Sequence, residues 1–297
     1  MDADIERRFS GLARLYGVQG AAAIRAAHVA VVGIGGVGSW AAEALARSGV
    51  GRMTLIDFDN VAESNINRQI HAVTDTVGMA KVDAMRARIA QINPHCQVTC
   101  IEEFATPENW LSLVGAMTAQ GGLSAVIDAC DQVKTKVTMA AWALAQRKSA
   151  HASLFITAGA AGGKRRADKI DIADLADTTH DPLLAKLRYS LRRYHGAARN
   201  KTIGTPCVFS REAVATPILI SDAAVSVNAR SNLLPDAHAD ERADSLVEIQ
   251  SDSQTDSVEN LQSDGGLNCH GYGSVVTVTA SFGLCAAGWV LDQIARK

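Results

Sequence analysis

The stretch HVAVVGIGGVGSWAAEALARSGVGRMTLIDFD, residues 28–59, constrains the fold more than any other part of the chain. Residues 29–34 form an unbroken apolar run ending in glycines, the pattern of a strand buried on both faces. Gly33, Gly35, Gly36 and Gly38 stand at the GxGxxG spacing. The Ala-rich segment 37–47 predicts a helix stopped near Gly49, and a second apolar run over 53–56 ends in Asp57. Strand, glycine turn, helix, strand and acid make a mononucleotide-binding unit. Glycines let backbone approach a phosphate without a Cβ clash, and a helix start offers free N–H groups and the positive end of its dipole. Asp57 stands where a carboxylate accepts hydrogen bonds from ribose hydroxyls. A tight turn without a ligand uses the same glycines, and the unit alone does not separate NAD from ATP.

Further along, the pattern repeats. A helix over 81–93 stops at Pro94, a strand covers 97–102, and Thr106-Pro107 is an N-cap and first-turn pair opening a helix toward Met117. A short strand over 124–128, a helix over 133–147 and a strand over 151–157 follow. This alternation predicts an α/β fold, a doubly wound and mainly parallel sheet around a Rossmann-like nucleotide-binding unit. The expected organisation is a helical arm over 1–27, a core over 28–160 and a basic extension over 161–227. A flexible acidic insertion over 228–266 and a C-terminal apolar element over 267–297 complete it. The insertion is rich in Asp, Ser, Asn, Gln and Glu and poor in aromatics. Residues 273–291 carry no charge, but Gly, Ser and Thr dilute their apolarity, which favours a buried or subunit-contact helix over a membrane span.

Charge is balanced, 29 basic against 31 acidic residues, so a polyanion partner has to use a local patch. Two such patches exist. Lys164, Arg165 and Arg166 follow a glycine-rich turn, and the helix opened by Asp181-Pro182 carries Lys186, Arg188, Arg192 and Arg193, with Arg199 and Lys201 just beyond. Either is a solvated face or a polyanion-binding surface. The six cysteines include no CxxC pair, which argues against a four-cysteine zinc site and for reduced thiols. MDADIERR opens without an apolar stretch, so a cytoplasmic location is expected.

The segment between Asp57 and Lys81 favours ATP. Asp59, Asn65, Asn67, Arg68, Gln69 and Lys81 concentrate cations and amides there, which a triphosphate needs and a nicotinamide does not. Arg68 presents a planar fork to phosphate oxygens, and Lys81 a mobile point charge. Singly, each has a duller role: an ion pair, a helix start or a turn. Asp131, just past the fourth strand, faces the same crevice. A carboxylate beside a triphosphate needs a cation between them, so Asp131 is assigned to Mg²⁺ held largely through water, or else caps the helix from Val133.

GIGGVGSWAAEAL, TLIDFDNV, SNINRQIHA, VGMAKV and INPHCQV resemble the adenylating fold of the ubiquitin-activating-enzyme-like superfamily. RFSGLARLYG, GAAGGKRRADKI, DPLLAKLR and CVFSREA narrow the resemblance to the tRNA threonylcarbamoyladenosine dehydratases. The likeness spans residues 6–225 and 266–295. It implies that Gly35, Asp57, Asn65, Arg68, Lys81 and Asp131 hold ATP and its metal. It also implies a homodimer in which an arm arginine reaches the second copy's site. The position matching that arginine in sulfur-carrier activators is Gly11, so Arg14 is the expected replacement, with Arg8 next.

The implied reaction adenylates the carboxylate of threonylcarbamoyladenosine in tRNA and then closes a ring with net loss of water. The basic patches would hold tRNA, and a cysteine desulfurase or sulfur-acceptor system is a further implied partner. No stable membrane association is expected. Rivals are an activator of a ubiquitin-like sulfur carrier, a NAD-dependent oxidoreductase and a non-catalytic ATP-binding scaffold.

Overall fold

The computed structural model describes residues 4–119, 121–149, 152–216 and 272–296. Helix α1 (Ile5–Ala26) starts at Asp4, whose side chain accepts from the Arg7 N–H, and breaks at Gly17, where φ is 75°. Then come β1 (His28–Val32), α2 (Gly38–Arg47), β2 (Arg52–Ile56), α3 (Lys81–Ile92), β3 (Gln97–Ile101), α4 (Trp110–Ala119), β4 (Ala125–Asp128), α5 (Val133–Gln146) and β5 (Leu154–Ala158). After these, β6 (Ile170–Asp174), α6 (Pro182–Tyr194), β7 (Pro206–Ser210) and α7 (Val276–Ala295) complete the described elements.

Seven strands form one sheet in the order β3-β2-β1-β4-β5-β7-β6. All pairings are parallel except β6 with β7, so the expected doubly wound, mainly parallel sheet is what the chain builds. β1 lies in the centre with all five residues buried, as its apolar run requires. The strand order reverses between β1 and β4, which places a crevice over the carboxyl ends of those two strands.

Local chemistry sets the ends of the elements. The side chains of Thr106 and Asn109 bond each other's backbone N–H, at 3.3 and 2.7 Å, ahead of the regular turns of α4. Asp181 caps α6 by accepting from the Leu184 N–H at 3.0 Å, with Pro182 in the first turn. The two strands of the basic extension had no counterpart in the sequence reading; β7 pairs with β5 and extends the core sheet. The acidic insertion lies outside the described residues.

By length and composition α7 is apolar enough to cross a membrane. In the fold it is a packing element, burying Val278, Phe282, Ala286, Ala287, Val290, Leu291 and Ile294 in the same core as Ala41, Ala42, Leu45 and Ala46 of α2. The approach is closest at Gly283, where a Cβ would meet the Val37 carbonyl oxygen and the Ala41 nitrogen.

Candidate nucleotide-binding site

The glycine turn is built for close backbone contact. Gly33 directly follows β1 with φ +85°, and a Cβ there would lie 2.9 Å from backbone atoms of Ala129 and Cys130. A Cβ on Gly38 would fall on the Gly33 carbonyl oxygen, and one on Gly36 would stand 3.3 Å from Arg68 and Thr279. Gly35 differs: the nearest atom to its Cβ position is the Gln69 amide nitrogen at 3.9 Å, so the turn opens there onto free space. No side chain caps α2 and no acid lies in its first turn, which leaves its amino end to an anion.

That space is a cavity of about 490 Å³. Gly33, Gly35, Gly36, Asp57, Asp59, Asn65, Arg68, Gln69, Lys81 and Asp131 all line it, whereas Asn67 does not and instead donates to the Ser274 carbonyl. Gly38 sits behind the turn as a spacer. Substituting Gly35→Ala is expected to leave the melting temperature within about 2 °C and to raise the KM for ATP on the order of tenfold, by filling ligand space alone. Gly38→Ala should lower both stability and ATP affinity. Thermal unfolding beside ATP titration checks this, and unchanged ATP affinity in both variants would refute the placement.

Asp57 at the end of β2 is buried. It accepts from the Ile34 N–H at 2.6 Å and the Asp59 N–H at 2.9 Å, which pins the glycine turn to the second strand. Burial pushes its carboxyl above the ordinary value, with Lys81 and the two N–H groups opposing. Lys81 opens α3 with a buried side chain whose Nζ lies 2.6 Å from the Asp59 carboxylate, itself half exposed. Arg68 donates to the Ser64 carbonyl at 2.7 Å and to Asn67 Oδ1 at 3.0 Å, and burial lowers its pKa. Asn65 accepts from the Ala62 N–H at 3.2 Å and closes the turn that carries Arg68 and Gln69. Gln69 is buried, and its amide oxygen has no partner among the described residues. Its amide nitrogen is the atom nearest the open space at Gly35, so Gln69 can donate to a ligand there.

Asp131 also lines the cavity. Gln132, not Asp131, is the N-cap residue of α5, so the capping role falls away. No hydrogen bond holds the Asp131 carboxylate among the described residues, and its loop is fixed from beneath. Asp128 accepts from the Cys130 N–H and thiol at 3.2 and 3.1 Å, and from Thr157 and Lys136 at 2.6 and 3.0 Å. Lys136 also donates to Thr157 Oγ1 and the Ala158 carbonyl. This buried network ties the ends of β4 and β5 together under the crevice. The sequence concealed it, because a lysine in a helix reads as solvated. Burial pushes the Cys130 and Cys207 thiols well above their ordinary values, so both stay protonated.

Arg14 is exposed on α1, before the Gly17 break, and does not line its own chain's cavity. Arg8 is tied down, donating to the Gln91 and Ile92 carbonyls at the end of α3.

The basic patches divide. Lys164 is a correction to the surface reading: it is buried and donates to the carbonyls of His180 and Glu212. Arg188 is a second correction, since one nitrogen serves the Leu175 and Thr178 carbonyls and the Thr178 hydroxyl. Both cations spend their donors on backbone carbonyls of neighbouring loops. Arg192 is half-buried against the Ala198 carbonyl, and Arg166 pairs with Asp168 at 2.6 Å on the surface. Arg165, Lys186, Arg193, Arg199 and Lys201 are exposed, and Lys186 lines the cavity. The sequence reading also missed Phe104, Ala160, Tyr272 and Thr279, which complete the walls from distant segments.

The ThiF family model matches residues 9–183. The tRNA threonylcarbamoyladenosine dehydratase of Escherichia coli is 39% identical over 98% of this chain and 94% of its own. That of Haemophilus influenzae is 35% identical over 98% and 95%. The crystal structure of the E. coli enzyme in complex with ATP superposes with a TM-score of 0.73 at 38% identity, covering 97% of this chain and 94% of that one. Its AMP complex gives 0.73 at 37% identity. The chain therefore belongs to the ThiF family, among the tRNA threonylcarbamoyladenosine dehydratases.

Proposed function

We propose that the protein is an ATP-dependent tRNA threonylcarbamoyladenosine dehydratase. The observation that carries this is the cavity itself. Glycine turn, Asp57, Arg68, Lys81 and Asp131 converge there, in a chain similar over 97% of its length to the E. coli dehydratase, whose structures hold ATP and AMP.

In this reading the ribose hydroxyls lie against Asp57, which has lone pairs left beyond its two backbone bonds. The phosphates lie over Gly35 and the start of α2, met by Arg68, Lys81, Asn65 and Gln69. Asp131, whose carboxylate has no partner among the described residues, fits Mg²⁺ held through water. Bound there, the ion would neutralise charge between that carboxylate and the phosphates. The substrate carboxylate attacks the α-phosphorus, pyrophosphate leaves and an acyl-adenylate forms. An atom of the same threonylcarbamoyl group then displaces AMP and closes the ring. That step is intramolecular, so positioning supplies a rate advantage on the order of several kcal/mol without an enzyme nucleophile. Protonated, buried thiols accord with this.

A homodimer belongs to the same reading. Leu15 and Val18, 73% and 78% exposed, flank the Gly17 break beside Arg14, an apolar pair suited to docking the arm on a second copy. A cytoplasmic location without stable membrane association follows for an enzyme acting on tRNA. A cysteine desulfurase system as partner rests on the family alone.

Incubation with ATP, Mg²⁺ and threonylcarbamoylated tRNA, followed by nucleoside mass spectrometry, tests the function. The expected product is lighter by one water. Pyrophosphate release driven by a small sulfur-carrier protein without RNA would overturn the reading in favour of the rival activator. Retention of tRNA should also fall with salt, at a logarithmic slope of about −3 to −5 for the five exposed cations. A flat salt response would remove the basic surface from the account.

A further inference from the structure

Helix α6 connects the cavity to the solvent along one stripe. Leu183, Leu184, Leu187 and Leu191 bury its inner face. Pro182, Lys186, Tyr189 and Arg193 recur at helical spacing on the outer one. Pro182 and Lys186 line the cavity, and Arg193 lies about 10 Å further along the axis. Tyr189 and Tyr194 are 57% and 67% exposed, a large aromatic area to leave in water. Between them, the Arg193 guanidinium stands 5.8 Å from one ring centre and 5.4 Å from the other, and donates to the Tyr189 hydroxyl at 2.6 Å. Most of its donors stay free.

We propose that this stripe is a stacking platform for unpaired RNA bases beside the nucleoside that enters the cavity. Tyr189 and Tyr194 take base faces, while Arg193 and Lys186 meet the intervening phosphates. The proposal rests on the dehydratase reading and names the part of the substrate that the helix recognises. Cations and two exposed aromatic rings at one end of the helix, Tyr189 on the stripe and Tyr194 beside it, joined through Arg193, suit a single strand, because the faces of paired and stacked bases are not available to a side chain. Continuity with the cavity through Lys186 places those bases next to the reacting residue.

The test compares the paired variants Tyr189→Ala/Tyr194→Ala and Tyr189→Phe/Tyr194→Phe in full dehydration kinetics on threonylcarbamoylated tRNA. The alanine pair should raise the KM for tRNA on the order of tenfold per ring, with kcat and the KM for ATP unchanged. The phenylalanine pair should stay within about twofold of the parent, since stacking needs the ring and not the hydroxyl. The salt slope should not move, because no charge is lost. An active parent whose alanine pair keeps its tRNA KM, or whose phenylalanine pair loses as much as the alanine pair, overturns the platform and leaves the dehydratase reading intact. A parent without activity on tRNA overturns both. Loss of a protein partner by the alanine pair, with tRNA kinetics unchanged, reassigns the stripe to protein docking.

Discussion

Replacing Arg68 and Lys81 together with alanine will lower ATP-dependent turnover by about 10³ to 10⁴. In the proposed site each cation would supply a charge-assisted contact inside a partly dry cavity, where such a bond is worth about 2–3 kcal/mol. Two of them convert, at about 1.4 kcal/mol per decade, to the stated loss. The fold should survive. Arg68 spends its protein bonds on its own turn, and removing Lys81 leaves Asp59 half exposed, where water solvates it. Pyrophosphate release under saturating tRNA measures the effect, and the single variants should not sum exactly because both act on one phosphate chain. Turnover within tenfold of the parent would mean that the cavity is not where ATP reacts.

The second large effect concerns stability. Lys136→Met strands the Asp128 carboxylate, for both side chains of that pair are entirely buried. Burial alone would pull the Lys136 pKa down, but the Asp128 carboxylate beside it opposes this and the net direction is upward. Breaking a buried pair from one side costs about 3–5 kcal/mol, and for a chain of this size the melting temperature should fall by about 10 °C. Adding Asp128→Asn to the same chain should restore a substantial part of it, since the stranded charge is then gone. If the double variant melts below the single one, the pair is not what holds the ends of β4 and β5. ATP turnover should drop as well, because Asp131 and Ala160 both depend on those strand ends.

The sheet's first half was legible because its cause is local. An apolar run must be buried on both faces, and glycines at 33, 35, 36 and 38 specify a turn whatever surrounds it. Asp181-Pro182 likewise announced α6 through chemistry that acts within four residues. What stayed hidden depended on distant partners. β6 and β7 are short strands whose identity comes from pairing with each other and with β5. Lys164 and Arg188 looked like surface cations because the carbonyls they serve come from other loops. The same holds for Lys136, whose partners lie on β4 and β5. Thr279 and Tyr272 reach the cavity from the far end of the chain, and no spacing rule points to them.

The seating of α7 against α2 has a bearing on birth rather than on catalysis. The ribosome releases α2 early, yet the helix that shelters its apolar side is made only after all seven strands of the sheet. At ordinary translation speeds the gap is roughly ten to fifty seconds. Through that interval the nascent nucleotide unit presents a greasy, unsheltered flank, the kind of surface that makes a half-made chain prone to aggregate until α7 emerges.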